Sequence, residues 1–201
     1  MSIQNIEIKV SGYVRCKSSF YSALDVLNGN EFCFSPGINR IRGEIDSGVF
    51  GISYLLSMPE RANKKMLLSC EASINGVAVE LPKITGIACY MDKLHPMFST
   101  SATIRALIRK GLKKSNAPFS ESEIIDRFML RSDVVDRTIA QSGNESVKAM
   151  AAVAYSFGVE VFCFPWLSSL RFEAFGKHLD FTLEILDSLG KTVILPLSPS
   201  V

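Results

Sequence analysis

The stretch that decides the fold is GEIDSGVFG, from Gly43 to Gly51. Gly43 and Gly48 have the spacing of a loop that wraps a phosphate group. In such a loop the second glycine is followed by Lys and then by Ser or Thr, whereas this chain has Val49 and Phe50. Glycines at this spacing are common, so the flanking segments must decide between a phosphate loop, a remnant of one and an ordinary turn.

The flanking segments are predicted as a strand and a helix. INRIRG, residues 38–43, leads into the loop, and GVFGISYLLSM, from Gly48 to Met58, has the apolar density of a core helix. A helix that begins directly after a glycine loop offers N–H groups and the positive end of its dipole to an anion. The order of strand, glycine loop and helix is therefore the context that a phosphate loop requires.

Further strands are predicted on both sides of this unit. Ile3 to Val14 alternates apolar and polar residues, and EFCFSPG, from Glu31 to Gly37, is predicted as a short strand that ends in a turn. Lys64 to Leu81 contains two strand-like runs across an Asn-Gly turn, and Ile84 to Met91 contains another. The first two of these runs together predict an antiparallel β part near the N terminus.

The middle of the chain changes from strand-like to helical patterns. ATIRALIRKGLKK and SESEIIDRFML have helical spacing, and Ser120 with Glu123 predicts a capping box. A helical subdomain is therefore predicted at residues 92–140, inserted within a single domain of residues 1–201.

The last third of the chain alternates helices with strands. Ser142 with Glu145 predicts a second capping box at the start of a helix that Gly158 ends. VEVFCF follows as a strand, and a helix at about Phe172 to Leu189 leads to a final strand, KTVILPL. This alternation predicts a mostly parallel sheet that is covered on both faces.

Length and composition indicate one well-packed domain. The chain has 201 residues, of which 47% are hydrophobic, and its formal charge of +2 does not favour nucleic acid or an acidic membrane surface as a partner. The five cysteines form no C-x-x-C pair, and their odd number disfavours a disulfide framework or a zinc site. The composition therefore predicts a protein of the reducing cytoplasm with no nucleic-acid partner.

Neither secretion nor direct membrane insertion is predicted. The N-terminal MSIQNIEIKV lacks the basic start and apolar core of a secretion signal. The most apolar stretch, from Ala152 to Leu170, approaches the length of a membrane span. Because Gly158, Glu160 and Pro165 interrupt it, a helix followed by a buried strand is the preferred interpretation.

With this order of elements, the chain resembles the nucleotide-binding domain of ATP-binding cassette (ABC) proteins from about residue 15 to residue 198. The resemblance lies in architecture and motif order, and no single motif is intact. It implies an α/β fold of the P-loop NTPase, ABC ATPase type, with a mixed sheet flanked by helices, an antiparallel N-terminal β part and an inserted helical subdomain.

The resemblance assigns the phosphate loop to GEIDSGVF, from Gly43 to Phe50, and seven of these eight residues to the binding site. They are Gly43, Glu44, Asp46, Ser47, Gly48, Val49 and Phe50. The lysine that contacts the terminal phosphates would be Val49, and the hydroxyl that holds magnesium would be Phe50, so both groups are missing. Glu44 and Asp46 add negative charge, and at about 4 Å and an effective dielectric of about 20 each like-charge contact costs about 4 kcal/mol before screening.

The other family motifs are also altered. The loop that carries glutamine in the family has Asp92 near that position, where a water-mediated contact to a metal is conceivable. The signature LSGGQ corresponds to QSGNE, in which Ser142 and Gly143 are retained. In the family these two bind the terminal phosphate held by the opposite subunit, although Ser142 could equally serve only as a helix cap. Pro165 and Trp166 stand where an acidic pair is expected.

Two further positions of the family pattern are those of an aromatic residue and of a histidine. Tyr21 stands at the distance before Val49 at which the family stacks adenine on an aromatic ring, although it could equally pack on the sheet. The histidine expected after the last strand is absent there, since the chain has only His95 and His178. His178 is predicted to face solvent on a helix, and neither is predicted to hold a metal.

These losses lead to three functional hypotheses. The first is a degenerate ABC-type protein that acts as a regulatory or structural partner, without ATP hydrolysis because the charge-neutralising groups of phosphoryl transfer are missing. The second is a nucleotide-binding subunit of an ABC transporter or related complex that still binds ATP and works with a competent partner. The third is a different enzyme that uses the pocket for another anion.

The hypotheses share expectations about ligands and partners. ATP binding is expected to be weak, magnesium binding is in doubt, and apolar side chains are expected to fill the old phosphate and metal site: Phe50, Phe162, Phe164 and Trp166. The resemblance implies a homodimer, or a heterodimer with another cassette domain. The second hypothesis adds a membrane-protein partner.

Overall fold

The computed structural model describes residues 3–44, 46–58, 67–98 and 101–201. In these ranges the strands are β1 (Ile6–Lys17), β2 (Ser22–Phe34), β3 (Gly37–Arg42), β4 (Leu67–Ile74), β5 (Val77–Ala78), β6 (Ala88–Tyr90), β7 (Val161–Cys163) and β8 (Thr192–Leu197). The α-helices are α1 (Val49–Ser57), α2 (Leu81–Thr85), α3 (Ile104–Ser115), α4 (Glu121–Arg127), α5 (Ser132–Val135), α6 (Ser146–Ser156) and α7 (Ser169–Ser188). The strands form two four-stranded sheets.

The first sheet is antiparallel, in the order β2-β1-β4-β5. Alternate residues of β1 are buried, as the apolar alternation predicts. The predicted strand at Glu31 to Gly37 is wrong at both ends, because β2 begins at Ser22 and ends at Phe34. Residues 28–30 are of turn-forming types, so the sequence did not predict that one strand continues through them. They lie opposite a register shift between Val10 and Ser11 of β1.

The second half of the antiparallel sheet contains the predicted hairpin turn. Asn75 and Gly76 have φ angles of 53° and 73°, as a tight turn between strands requires. Residues 64–66 of the predicted strand lie outside the described residues. The strand predicted from Ile84 to Met91 is wrong in its first part, since the short helix α2, which has Pro82 in its first turn, ends at Thr85 and the strand β6 comes only after it.

The second sheet is parallel, in the order β3-β8-β7-β6. Alternate residues of its strands enter different cores: Val161 and Cys163 of β7 pack with the antiparallel sheet and α1, whereas Phe162 packs with α6 and α7. The predicted parallel sheet covered on both faces is confirmed. The mixed α/β architecture with an antiparallel N-terminal part is likewise observed.

Helix α1 lies between the two sheets and contacts both. All nine of its residues are buried, which explains why its sequence is apolar on every side. The helix follows β3 and the glycine loop, so the predicted order of strand, loop and helix is correct.

The described residues between β6 and β7 form helices and turns. The predicted capping box at Ser120 is present, since the Glu123 N–H donates to Ser120 Oγ over 3.2 Å and the Ser120 N–H donates to Glu123 Oε2 over 2.6 Å. Further along, α7 is kinked at Gly176, whose φ of 44° and ψ of −136° are not helical. None of the helices in the described part of the chain combines the length and apolar character needed to cross a membrane.

Candidate functional site

The loop between β3 and α1 is held by bonds to its neighbours. The Gly43 N–H donates to the carbonyl of Leu197 at the end of β8, over 3.1 Å. The Asn30 side chain of β2 donates to the carbonyl of Ser47 over 3.2 Å. Gly48 has φ of 83°, and a Cβ there would lie 2.8 Å from the Asn30 Oδ1 atom. The second glycine of the loop is therefore required by both its backbone conformation and its contact with β2.

Asp25 of β2 occupies the N-terminal end of α1. Its Oδ1 accepts the N–H of Gly48 over 3.2 Å, and its Oδ2 accepts the N–H of Gly51 over 2.7 Å. Asp25 is 0% exposed. A Cβ at position 51 would lie 3.2 Å from Oδ2, so glycine there permits the close approach of the carboxylate. A carboxylate of the protein itself thus binds N–H groups that the sequence assigned to an anionic ligand.

Two opposing effects act on the pKa of Asp25. Burial disfavours the charged form and raises the pKa above the usual 3.8, while the N–H groups of Gly51 and Gly48 favour the charged form and offset part of this increase. The net direction is upward, so the folded protein binds this proton more tightly than the unfolded chain does.

This shift predicts a specific pH dependence of stability. The contribution of Asp25 to the free energy of unfolding is largest below the unfolded pKa, and it decreases as the pH rises through the interval up to the folded pKa. We therefore expect the difference in unfolding free energy between wild type and Asp25→Asn to fall as the pH rises from about 4, and then to level off. Urea denaturation across a pH series measures it, and a difference that grows with pH would show that the N–H groups outweigh burial.

Three aromatic rings lie against the loop. The ring centroids of Tyr21 and Phe50 are 4.2 Å apart, and those of Phe50 and Trp166 are 5.1 Å apart. Trp166 Nε1 donates to the carbonyl of Gly43 over 2.9 Å, and the Trp166 backbone N–H donates to the Tyr21 hydroxyl over 2.9 Å. We call Tyr21, Phe50 and Trp166 the aromatic cluster. It joins the turn between β1 and β2, the start of α1 and the segment after β7.

The aromatic cluster changes two of the sequence interpretations. Tyr21 packs within it, with its ring tilted by 48° to that of Phe50, so it makes packing contacts of the kind that the sequence left open, while adenine stacking on Tyr21 stays a prediction. Phe50 and Trp166 lie beside the loop as expected, but the expectation that Phe162 and Phe164 would fill the same space is wrong. Those two side chains pack in the core formed with α6 and α7, on the other face of the parallel sheet.

The segment that resembles the signature motif has a different cap from the predicted one. Ser142 Oγ donates to the carbonyl of Ile139 over 2.7 Å and caps no helix N–H group, so the predicted capping box with Glu145 is wrong. A 3₁₀ turn at Gly143–Glu145 separates Ser142 from α6, which explains the difference. Glu145 instead pairs with Arg131 at 2.8 Å. Ser142 is buried, whereas Gly143 is exposed with φ of 59°.

Asp92, at the position of the family's glutamine, is engaged within the protein. It is 2% exposed, and its carboxylate accepts the Ser19 N–H over 2.9 Å, the Ser19 hydroxyl over 2.7 Å and the Leu94 N–H over 2.9 Å. These bonds fix the turn between β1 and β2 against the turn that follows β6.

The two histidines lie apart from the loop. His95 Nδ1 is 3.7 Å from the Cys89 sulfur and accepts the Met97 N–H over 3.3 Å, while His178 is half-buried on α7. Among the described residues, no group of His, Cys, Asp and Glu side chains is arranged to hold a metal ion. All five cysteines are free thiols.

The residues around the loop do not fit a magnesium–nucleotide complex. The side chains of Val49 and Phe50 are apolar and buried, and offer neither a cation nor a metal ligand. The N–H groups of Gly48 and Gly51 already donate to a carboxylate, so a phosphate would compete for them next to a negative charge. Glu44, Asp46 and Ser47 complete the loop without adding a cation, and Ser47 Oγ donates to the carbonyl of Glu44.

Sequence reasoning missed Asp25 because β2 was not predicted at that point. The burial pattern of β2 nevertheless contains the signal, since Asp25 and Leu27 are two residues apart and are both buried. A charged residue in phase with the apolar side of a strand needs a buried partner.

Comparison with known proteins identifies the fold. No family model matches the chain, and no curated protein matches it in sequence. A putative ABC transporter ATP-binding protein from Pyrococcus furiosus has a TM-score of 0.60 and 14% identity, over 96% of this chain and 90% of that one. CbiO1 from Clostridium perfringens, part of the ABC transporter complex CbiONQ, has a TM-score of 0.57 and 14% identity, over 95% and 78%.

A third similar structure is a bacterial Atm1-family ABC exporter with ATP bound. Its TM-score is 0.56 at 12% identity, and the match covers 98% of this chain but only 35% of the exporter. At these identities the likeness concerns the fold. The chain therefore has an α/β fold similar to that of these ABC ATP-binding proteins.

Proposed function

We propose that the protein is a degenerate ABC-type cassette domain that does not hydrolyse ATP and acts as a structural or regulatory partner of another cassette domain. The observation that carries this proposal is the Asp25 carboxylate bound to the N–H groups of Gly48 and Gly51. The loop lies between a strand and a helix, as a phosphate loop does, but the anion at its N–H groups is part of the chain.

The energetics favour the internal carboxylate over a nucleotide. A phosphate placed about 4 Å from the ionised Asp25 would cost about 4 kcal/mol at an effective dielectric of about 20. Displacing Asp25 instead would leave a buried carboxylate without its hydrogen bonds, at a cost of several kcal/mol. Either route opposes ATP binding, and we infer that any such binding is weak.

Hydrolysis is opposed for a separate reason. Phosphoryl transfer needs positive charge on the phosphate oxygens and a group that orients the attacking water. The aligned positions have Val49, Phe50, Pro165 and Trp166. Removing even one charge-stabilising group from an active site commonly costs a factor of about 100 to 1,000 in rate. The simultaneous substitutions favour a protein without turnover.

The proposal extends to domain organisation and partners. We propose a single domain over residues 1–201 with a helical subdomain at residues 92–140, acting in the cytoplasm as a homodimer or as a heterodimer with another cassette domain. A membrane-protein partner follows if the chain serves a transporter. The similar CbiO1 is itself part of a transporter complex, and the exposed backbone of Gly143 is accessible to a partner.

A thermal melt with millimolar Mg-ATP tests the nucleotide part of this proposal. A ligand at about 100 times its dissociation constant adds about 2.7 kcal/mol, which raises the midpoint by about 5 to 10 °C in a protein of this size. We expect no such shift and no phosphate release. Light scattering on the same samples measures the molar mass, and a dimer that forms without ATP is the expected homodimeric result.

A different outcome would identify the alternative. A midpoint increase of several degrees that requires ATP would support a nucleotide-binding subunit that works with a competent partner. Phosphate release that scales with the protein concentration would contradict the proposal outright. A strictly monomeric protein would exclude the homodimer and leave the heterodimer to be tested by adding an intact cassette domain.

A further inference from the structure

A second cavity lies away from the glycine loop. It has a volume of about 260 Å³ and lies between the turn after β1, the turn after β6, the start of α6 and one side of α7. Its cationic, aromatic and helix-start lining residues are Phe20, Lys93, Asn144, Ser146, Arg171 and Phe175. Asp92 and Gly143 line it as well, but no residue of the stretch 43–51 does, so its ligand would not contact the glycine loop.

The cavity has an excess of positive charge. Within the described ranges, neither Lys93 nor Arg171 has a carboxylate within ion-pair distance. The one carboxylate in the wall, Asp92, is buried and binds Ser19 and Leu94. Its negative charge is thus stabilised within the protein, while both cations remain available to an anionic ligand.

The cavity also has an aromatic wall. Phe20 is 40% exposed, so part of its side chain is open to a ligand. The Arg171 guanidinium lies 3.7 Å from the centroid of the Phe20 ring, and the ring of Phe175 meets Phe20 edge to face at 6.0 Å. Arg171 is thereby held over the ring, and a guanidinium stacked in this way keeps N–H donors at its edge.

The start of α6 adds a third favourable feature. Ser146, the first residue of this helix of 11 residues, lines the cavity, as does Asn144 just before it. The positive end of the helix dipole therefore lies at the cavity and favours a negative charge there.

We propose that this cavity binds a small organic anion with a planar aromatic part. The anionic group, a phosphate or carboxylate, lies between Arg171 and Lys93, and the aromatic part packs against Phe20 and Phe175. The volume accommodates a single aromatic ring with its anionic group, so the ligand class is aryl phosphates and aryl carboxylates.

Titration of the full chain with phenyl phosphate, followed by calorimetry, tests this proposal. We expect one saturable site with a dissociation constant of about 1 mM or tighter. Inorganic phosphate should bind at least about tenfold more weakly, since it lacks the aromatic contact. Benzoate in place of phenyl phosphate then shows which anionic group is preferred.

Matched variants separate the cavity from general electrostatic attraction. Arg171→Gln should weaken phenyl phosphate binding about tenfold or more, because it removes a charged hydrogen-bond donor. Lys177→Gln removes the same charge from an exposed position of α7 outside the cavity and should leave the affinity unchanged. Lys93→Gln provides a second test if Arg171→Gln unfolds.

Three results would overturn the proposal. They are the lack of saturable binding, equal weakening by Lys177→Gln and by the cavity variants, and equal affinities for phenyl phosphate and inorganic phosphate. None of them bears on the proposed lack of ATP turnover, because the loop and the cavity share no residues.

Discussion

Replacing Asp25 by Ala should lower the free energy of unfolding by about 3 kcal/mol, because it leaves the N–H groups of Gly48 and Gly51 buried without an acceptor. The start of α1 also loses its favourable negative charge. For a chain of this size the midpoint of thermal unfolding should fall by about 6 to 12 °C. Thermal melts followed by circular dichroism measure the change.

Small anions should partly restore this variant. If the carboxylate fills an anion site, formate or acetate should raise the midpoint of Asp25→Ala in a saturable way and leave wild type unaffected. Asp180→Ala is the matched control, since Asp180 is exposed on α7, and its effect should stay within about 0.5 kcal/mol. An Asp25→Ala variant as stable as the control would falsify the assigned role of this carboxylate.

Replacing Trp166 by Ala should cost a similar or larger amount, about 3 to 4 kcal/mol, within the range for large aromatic truncations. The variant loses the bond to the carbonyl of Gly43 and the packing against Phe50, and so opens the space beside the loop. Chemical denaturation followed by circular dichroism is the appropriate measurement, because Trp166 is the only tryptophan.

Two further variants separate the contribution of the Nε1 hydrogen bond from that of the packed aromatic ring. Trp166→Phe keeps an aromatic ring without the Nε1 donor and should cost about 1 kcal/mol, the usual net value of a hydrogen bond. Tyr13→Ala removes an aromatic side chain that is 43% exposed and should cost less than about 1 kcal/mol. If Trp166→Ala is no worse than Tyr13→Ala, the aromatic cluster does not stabilise the loop.

The sequence predicted the elements whose signals are local. The mostly apolar helix after Gly48 and the alternating first strand were predicted correctly. A helix that is buried on all sides is apolar throughout, whereas a strand that is buried on one side alternates apolar and polar residues. The order of strand, loop and helix followed from these elements. The parallel sheet followed from the alternation of strands and helices near the C terminus.

The sequence could not predict the features that depend on contacts between distant segments. The bond between Asp25 and Gly51 spans β2 and α1, and no local pattern pairs a strand carboxylate with a later helix start. The capping box at Ser142 failed for a related reason, since a 3₁₀ turn shifts the helix start to Ser146 without changing the spacing. Phe162 and Phe164 were misplaced because they pack with α6 and α7, whereas Trp166, beyond the end of β7 at Cys163, contacts the loop.

Because Asp25 lies on a paired strand, its carboxylate is held next to the loop, where it competes with free anions for the N–H groups of the loop. Residues of β2 are held by β1 on one side, with Asp25 opposite Val14. An anion on a flexible tether has an effective concentration of about millimolar, and a group held in place by a folded structure exceeds this by orders of magnitude. A free anion can displace the Asp25 carboxylate only if its own concentration and affinity together exceed this effective concentration. Raising the concentration of ATP would therefore displace Asp25 far less readily than it would displace a bound phosphate ion.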